Sequence, residues 1–211
     1  MPYEIIVVDN GSTDGTLEYC LRQDVTLVSF ARNRGFPVAC NAGLRAAGGD
    51  TLLLLNNDVV VKPHWLSNML TCLYDAEDIG MVGPTTNYAS GRQQIDYAAV
   101  NERSISFNLS DPALWQPTER LVGFCLLMKR EAQERVGLLD ERFSPGHYED
   151  DDYCYRVRSA GYRLMIAGDV FVYHHGSAAF SQESGVAELL ETNRTKFIEK
   201  WGFNPNIFIH T

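Results

Sequence analysis

The sequence lacks any uninterrupted apolar run approaching the roughly 20 residues that cross a bilayer. Its start, MPYEIIVVDN, also lacks the basic region of a secretory leader. Both absences point to a cytoplasmic protein, although its substrate or partner can still be membrane-borne. Basic charge is short as well: 18 Lys and Arg face 27 Asp and Glu, a net charge of −9. That argues against sequence-independent nucleic-acid binding, which needs a basic face. A polyanionic ligand would need a metal ion or helix N-termini to supply positive charge. The five cysteines, Cys20, Cys40, Cys72, Cys125 and Cys154, show no CxxC or Cys/His spacing. They read as buried, reduced thiols rather than disulfides or a zinc site. No internal repeat or low-complexity linker divides the chain.

What is present suffices for a proper core. With 211 residues, 45% hydrophobic and 11% aromatic, the chain fits one large domain or at most two small ones. Short β-branched or leucine-rich runs alternate with helical stretches. Strands are expected at Glu4–Val8, Val25–Ser29, Thr51–Leu55, Met81–Pro84, Leu121–Met128, Tyr162–Ile166 and Val170–Tyr173. Helices are expected at Thr16–Arg22, Val38–Ala47, Trp65–Tyr74, Arg130–Val136 (stopped by Gly137), Glu149–Ala160 (stopped by Gly161) and Ala187–Trp201. The last would turn Leu190, Phe197 and Trp201 to one face. Strand–helix alternation with short connections indicates a three-layer α/β sheet with parallel strands. Between Thr85 and Glu119 the pattern dissolves, which marks a functional or mobile loop region.

Polar clusters interrupt these elements where ligands collect, just past the carboxyl ends of strands. The first is Asp9-Asn10-Gly11-Ser12, the second Asn56-Asn57-Asp58 directly after four leucines, the third His174-His175. A fourth, Glu149 to Asp152, opens a helix. Each has a plainer explanation. Asn-Asn-Asp is ordinary turn chemistry, and acids in a first helical turn are favoured by the macrodipole by roughly 0.3–1 kcal/mol each. Four acids in succession repel one another, however, which points to a bound cation or a perturbed pKa.

Taken together, EIIVVDNGSTDGT, NRGFPVACNAG, LLLLNNDVVV, GHYEDDDYCYRVRSAGY and VYHHGS resemble the family 2 glycosyltransferases, in particular the rhamnosyltransferase-like branch of polysaccharide and cell-wall assembly. The resemblance runs from about Glu4 to Trp201. It implies a three-layer α/β/α GT-A fold, Rossmann-like, with a mixed, mostly parallel central sheet. Residues 1–211 would be a single domain, with 1–84 the nucleotide-sugar half and 85–211 the acceptor and catalytic half. The implied reaction is inverting transfer from a UDP- or dTDP-sugar to a hydroxyl of a saccharide or lipid-linked saccharide, without nucleic acid. Asp9, Asn10, Gly11, Ser12, Asn33, Arg34, Gly35, Asn56, Asn57 and Asp58 would bind the donor. Asp58 and His174 (His175 as fallback) would hold Mg²⁺ or Mn²⁺, an oxygen-rich site suited to hard cations. Asp150 would be the general base, with Glu149 the alternative or an acceptor-orienting group. Asp151 and Asp152 would be mainly structural, and Gly123, Phe124 and Cys125 would shape the acceptor side.

Two departures from the family pattern matter. The first Asp of its DxD motif is Asn56 here. The chain also starts at what would be the family's second strand, so it reads as N-terminally truncated. The missing strand would lie between Glu4–Val8 and Thr51–Leu55, leaving buried backbone groups unpaired. Direct pairing of those two strands would close the gap; otherwise Ile207–Ile209 or a strand from a second copy would fill it. Peripheral membrane association and a homodimer fit this reading. A competing one is a catalytically inactive nucleotide-sugar-binding or scaffolding domain. A phospho-acceptor domain would want a Lys after a later strand, and a sugar nucleotidyltransferase a Gly-rich, basic phosphate loop; neither is visible.

Overall fold

A computed structural model describes residues 2–96, 108–176 and 185–205. Its strands are β1 (Ile6–Asp9), β2 (Thr26–Ser29), β3 (Thr51–Leu55), β4 (Val59–Val60), β5 (Ile79–Thr86), β6 (Gln116–Thr118), β7 (Cys125–Lys129) and β8 (Arg163–His174). Its helices are α1 (Thr16–Cys20), α2 (Phe36–Ala46), α3 (Trp65–Leu73), α4 (Arg130–Val136), α5 (Glu149–Ser159) and α6 (Val186–Trp201). The main sheet has the order β3-β7-β5-β8-β4, with β6 also on β8. It is mixed: β5 and β8 run parallel, whereas β7 inserts antiparallel between β3 and β5, and β4 and β6 pair antiparallel with β8.

Alternation along the strands builds two cores. Leu126, Met128, Met81, Leu164 and Ile166 face α5 residues Tyr153, Cys154 and Val157 together with Leu44 of α2. Cys125, Leu127, Val82, Met165 and Ala167 face Met69, Cys72 and Leu73 of α3. Successive side chains point to opposite faces of a strand, so every central strand contributes to both cores and the molecule has three layers.

Several boundaries differ from expectation for local reasons. The strand expected from Leu121 joins the ladder only at Cys125, because earlier donors are engaged elsewhere: Val122 N–H with Gln93 Oε1 at 2.7 Å and Gly123 N–H with Asp150 Oδ2 at 3.1 Å. The two short strands expected at 162–173 are one strand, β8, with a bulge. Pairing jumps from Pro84–Ala167 to Thr85–Phe171, which also explains how Pro84 is tolerated in a central strand. Asp169 at that bulge accepts from Trp115 Nε1 at 2.8 Å and from Asp111 N–H at 3.0 Å. Strand β6 lies inside the stretch expected to be irregular, and residues 97–107 of that stretch fall outside the described residues.

The first and third strands do not pair directly, so the gap expected between them is not closed in that way. β1 pairs only with β2, and β3 only with β7, among the described residues. Helix α2 spans the interval: Leu44 packs into the core with Leu52, and Gly43 lies against Val8 of β1. Leu55 is left 43% exposed. Ile207–Ile209, one of the expected fillers, lies outside the described residues.

Candidate functional site

The site assembles from contacts between loops that are remote in sequence. Asp9 closes β1 and is buried; Ser12 N–H and the Ser29 hydroxyl each donate to it at 3.1 Å. The Ser12 hydrogen bond, more than Ser29, holds its carboxyl below the usual value against the opposing effect of burial. Asn10 ties the neighbouring loop in place. Its amide donates to Asn33 Oδ1 at 2.9 Å and its carbonyl accepts Arg34 N–H at 2.8 Å. Gly11 has φ +85°, and a Cβ there would sit 2.6 Å from the Arg32 backbone, so only glycine allows this approach. From Gly35 the loop reaches the segment before α5, where Phe36 N–H donates to Pro145 O at 2.8 Å. The Phe36 ring lies over Gly123.

Strand β4, which the sequence reading did not anticipate, decides the second cluster. Pairing of Val59 with His174 sets Asp58 beside the end of β8, and His175 N–H donates to Asp58 O at 3.0 Å. The Val59–Val61 run was the available signal. His174, not His175, faces the carboxylate, with Nε2 3.3 Å from Asp58 Oδ1. His175 instead packs edge-on against Tyr173. His174 Nδ1 lies 2.8 Å from the Tyr88 carbonyl, which can only accept, so that nitrogen carries the proton. In the neutral ring Nε2 is then a lone pair aimed at a carboxylate oxygen, and Asp58 Oδ1 is buried without a hydrogen bond. Two acceptors facing each other in this way fit a cation between them. Among the described residues no third His, Cys, Asp or Glu joins them. Asn87 fixes the backbone of His174 through both its N–H (2.8 Å) and its C=O (3.0 Å). The Phe124 ring stacks on the imidazole at 5.0 Å. Asn56 donates its N–H to Phe124 O at 2.9 Å, and Asn57 is exposed.

The acidic cluster occupies the first turn of α5, after His147 and Tyr148, both left-handed. Its four carboxylates are not equivalent. Asp150 accepts from Gly123 N–H and lies 3.8 Å from the Arg120 guanidinium. Asp151 is paired with Arg120 Nε; burial, then the neighbouring Asp150 charge, still push its pKa up to about 6. Glu149 is buried with Oε2 unpartnered, and burial, reinforced by Asp150, raises its pKa well above the usual value. Asp152, fully buried, accepts from Arg156 (2.8 Å), Lys200 (2.6 Å) and Trp201 Nε1 (2.9 Å).

Gly123 and Phe124 join the two foci, since one binds Asp150 and the next stacks on His174. Cys125 does not belong with them. It is fully buried against α3, and burial raises its thiol pKa, so its expected place on an acceptor surface is withdrawn. Sequence reasoning missed Arg120, Asn87 and the Tyr88 carbonyl. All three lie within or beside the aperiodic stretch, where no pattern singles a residue out.

A family description, "Glycosyl transferase family 2", matches residues 1–137. The chain belongs to that family. It is 26% identical over 206 residues to the N-acetylglucosaminyl-diphospho-decaprenol L-rhamnosyltransferase of Mycobacterium tuberculosis, covering 82% of this chain and 67% of that protein. Over most of its length it also superimposes on two solved structures. One is the mannosyltransferase PcManGT from Pyrobaculum calidifontis with GDP-Man and Mn²⁺ (TM-score 0.62, 22% identity, 84% of this chain and 49% of that one). The other is GalNAc-T7 with UDP, GalNAc and Mn²⁺ (TM-score 0.71, 15% identity, 94% and 43%). The fold is therefore GT-A. The chain spans 22%, 53% and 15% of three further curated relatives.

Proposed function

We propose that this family 2 domain transfers a sugar from a nucleoside-diphosphate sugar, UDP- or dTDP-linked, to a hydroxyl acceptor with inversion. The observation that carries the proposal is the Asp58–His174 pair, with a buried carboxylate oxygen that has no hydrogen bond and lies 3.3 Å from an imidazole nitrogen. Asp58 and His174 would hold Mg²⁺ or Mn²⁺, with the donor's diphosphate completing the ligands; GT-A neighbours crystallise with Mn²⁺. Such an ion supplies Lewis-acid stabilisation of a departing diphosphate.

The remaining work falls to the chain's own side chains. Asp9 and the Asn10–Asn33–Gly35 brace flank the base and ribose, Asn10 holding the loop at the spacing that Gly11 permits. Asp150 takes the proton of the acceptor hydroxyl, and its other contacts, Gly123 N–H and Arg120, hold the carboxylate in place. Glu149, whose pKa is raised by burial and whose Oε2 is unpartnered, is the alternative base or a group that orients the acceptor. The acceptor is a saccharide, free or carried on a polyprenyl diphosphate as the name of the mycobacterial relative indicates for that protein. A peripheral membrane encounter fits such an acceptor. Among the described residues no helix is long and apolar enough to cross a membrane. Residues 1–84 then serve mainly the donor and 85–211 the acceptor and the proton.

One observation favours the competing reading of an inactive binding domain: among the described residues, β1 and β3 each keep an unpaired edge beside the donor side. The test is turnover of a panel of UDP-, dTDP- and GDP-sugars with Mn²⁺, for the native chain and Asp150→Asn. Mn²⁺-dependent release of nucleoside diphosphate that Asp150→Asn abolishes supports the transferase. Nucleotide binding without turnover in either protein supports the scaffold.

A further inference from the structure

Helix α6 does not present the apolar stripe expected of it. Leu190 is 38% exposed, and the helix buries Asn193 together with Phe197. The Asn193 amide faces three main-chain carbonyls, Phe143 and Gly146 at 2.8 Å and His147 at 3.2 Å. An NH₂ group has two hydrogens, so the longest contact is a shared one. Its orientation is not free to flip, because Lys196 Nζ donates to Asn193 Oδ1 at 2.8 Å and to Arg142 O at 2.8 Å. The same helix grips α5 further along, through Lys200 and Trp201 on Asp152.

The segment held by Asn193 is the one that needs holding. His147 and Tyr148 have φ of 71° and 74°, a conformation that L side chains rarely adopt, and they come one after the other. The next two residues are Glu149 and Asp150. Carbonyls 143, 146 and 147 therefore determine where the α5 N-terminus points, and a side chain more than 40 positions away satisfies all three. Tyr148 packs its ring on Phe197, one turn beyond Asn193, at 6.1 Å.

We infer that Asn193 is a positioning residue: it stabilises the left-handed His147–Tyr148 pair and so aims the Asp150 carboxylate at the reacting hydroxyl, without touching substrate. The inference rests on Asp150 being the general base. It makes α6 a brace of the site rather than a packing helix, and it accounts for a fully buried carboxamide, which burial alone would disfavour.

The experiment compares Asn193→Ala, the double variant Asn193→Ala/His147→Gly and the native chain in two readouts. The first is hydrogen exchange of a peptide covering residues 146–153, with one covering β3 as control. The second is kcat and donor KM for whichever nucleotide sugar the native chain turns over with Mn²⁺. Asn193→Ala is expected to speed exchange in 146–153 but not in β3, and to lower kcat about ten- to a hundredfold with KM within about twofold, as a misaimed catalytic group does. Glycine at 147 removes the steric penalty that Asn193 offsets, so the double variant should recover about fivefold or more of the lost kcat. The inference is overturned if exchange in 146–153 stays native, if the loss falls on KM, or if glycine at 147 restores nothing. Should Asn193→Ala fail to fold, Asn193→Ser, which keeps one donor, undergoes the same comparison against its own glycine double variant. An active Asp150→Asn would sink the base assignment, while exchange and its glycine rescue would still decide whether Asn193 holds the turn.

Discussion

The two acidic foci of this protein are built on opposite plans. Asp58 stands at a sheet end where backbone pairing sets its position, and one of its oxygens is left without a hydrogen bond. The Glu149–Asp152 turn is held by side chains: Arg120 on Asp150 and Asp151, and Arg156, Lys200 and Trp201 on Asp152. A carboxylate saturated with donors stabilises its surroundings, whereas one with an oxygen free of hydrogen bonds keeps a lone pair for a further partner. The difference teaches that burial and acidity alone do not mark function here. An oxygen without a hydrogen bond sets Asp58 apart from Asp152.

Removing a saturated carboxylate should cost most. Asp152→Ala removes the buried acceptor shared by Arg156, Lys200 and Trp201, and breaking a buried pair from one side costs about 3–5 kcal/mol. Urea unfolding should show a midpoint lowered accordingly, and an unchanged midpoint would mean that the network is ornamental. Asp58→Ala is expected to reverse that profile. Its folding stability should stay close to native while Mn²⁺-dependent turnover falls about a hundredfold or more, since Lewis-acid stabilisation amounts to several kcal/mol. Titrating turnover with Mn²⁺ checks this, and a native response in the variant would remove the ion from the site.

Glu149→Gln tests the one member of the helix turn that resembles Asp58 in having an unmet oxygen. Because burial raises the Glu149 pKa in the folded chain, the native state holds that proton more tightly than the unfolded state. Stability contributed by the protonated form is therefore present at low pH and lost as pH rises above the ordinary carboxyl value of 4.5. Asp151, raised to about 6, acts in the same direction. Gln cannot titrate, so unfolding curves at pH 5 and pH 8 should differ less in Glu149→Gln than in the native chain, with the gain at pH 8. The smallest effect belongs to Asp78→Asn. The Asp78–Arg163 pair is short, at 2.6 and 2.7 Å, but exposed to solvent, and such pairs contribute little. No measurable change in the unfolding midpoint is expected.

Much of this was legible in the chain. The four leucines ending at Asn56-Asn57-Asp58 marked a strand, and local sequence with the family order singled out Asp9, Asp150 and His174, which lie at strand and helix ends. Less legible were features that depend on who meets whom. Arg120 lies in a stretch without period, and nothing near it in sequence distinguishes its guanidinium from any surface arginine. The place of β7 between β3 and β5 reverses neighbours that alternation alone would make parallel. The choice of His174 over His175 required the Val59–His174 register, because a one-residue slip turns the opposite side chain inward.

Hydrophobic period, turn residues and helix stops are short-range properties, so the sequence alone determined most of the elements, the three-layer class and the acids at their ends. The pairing partners came from tertiary structure. An imidazole lone pair opposite a carboxylate, a guanidinium between two acids and a carboxamide across three carbonyls each depend on distances between segments tens of residues apart, and those distances exist only once the sheet and α6 are packed.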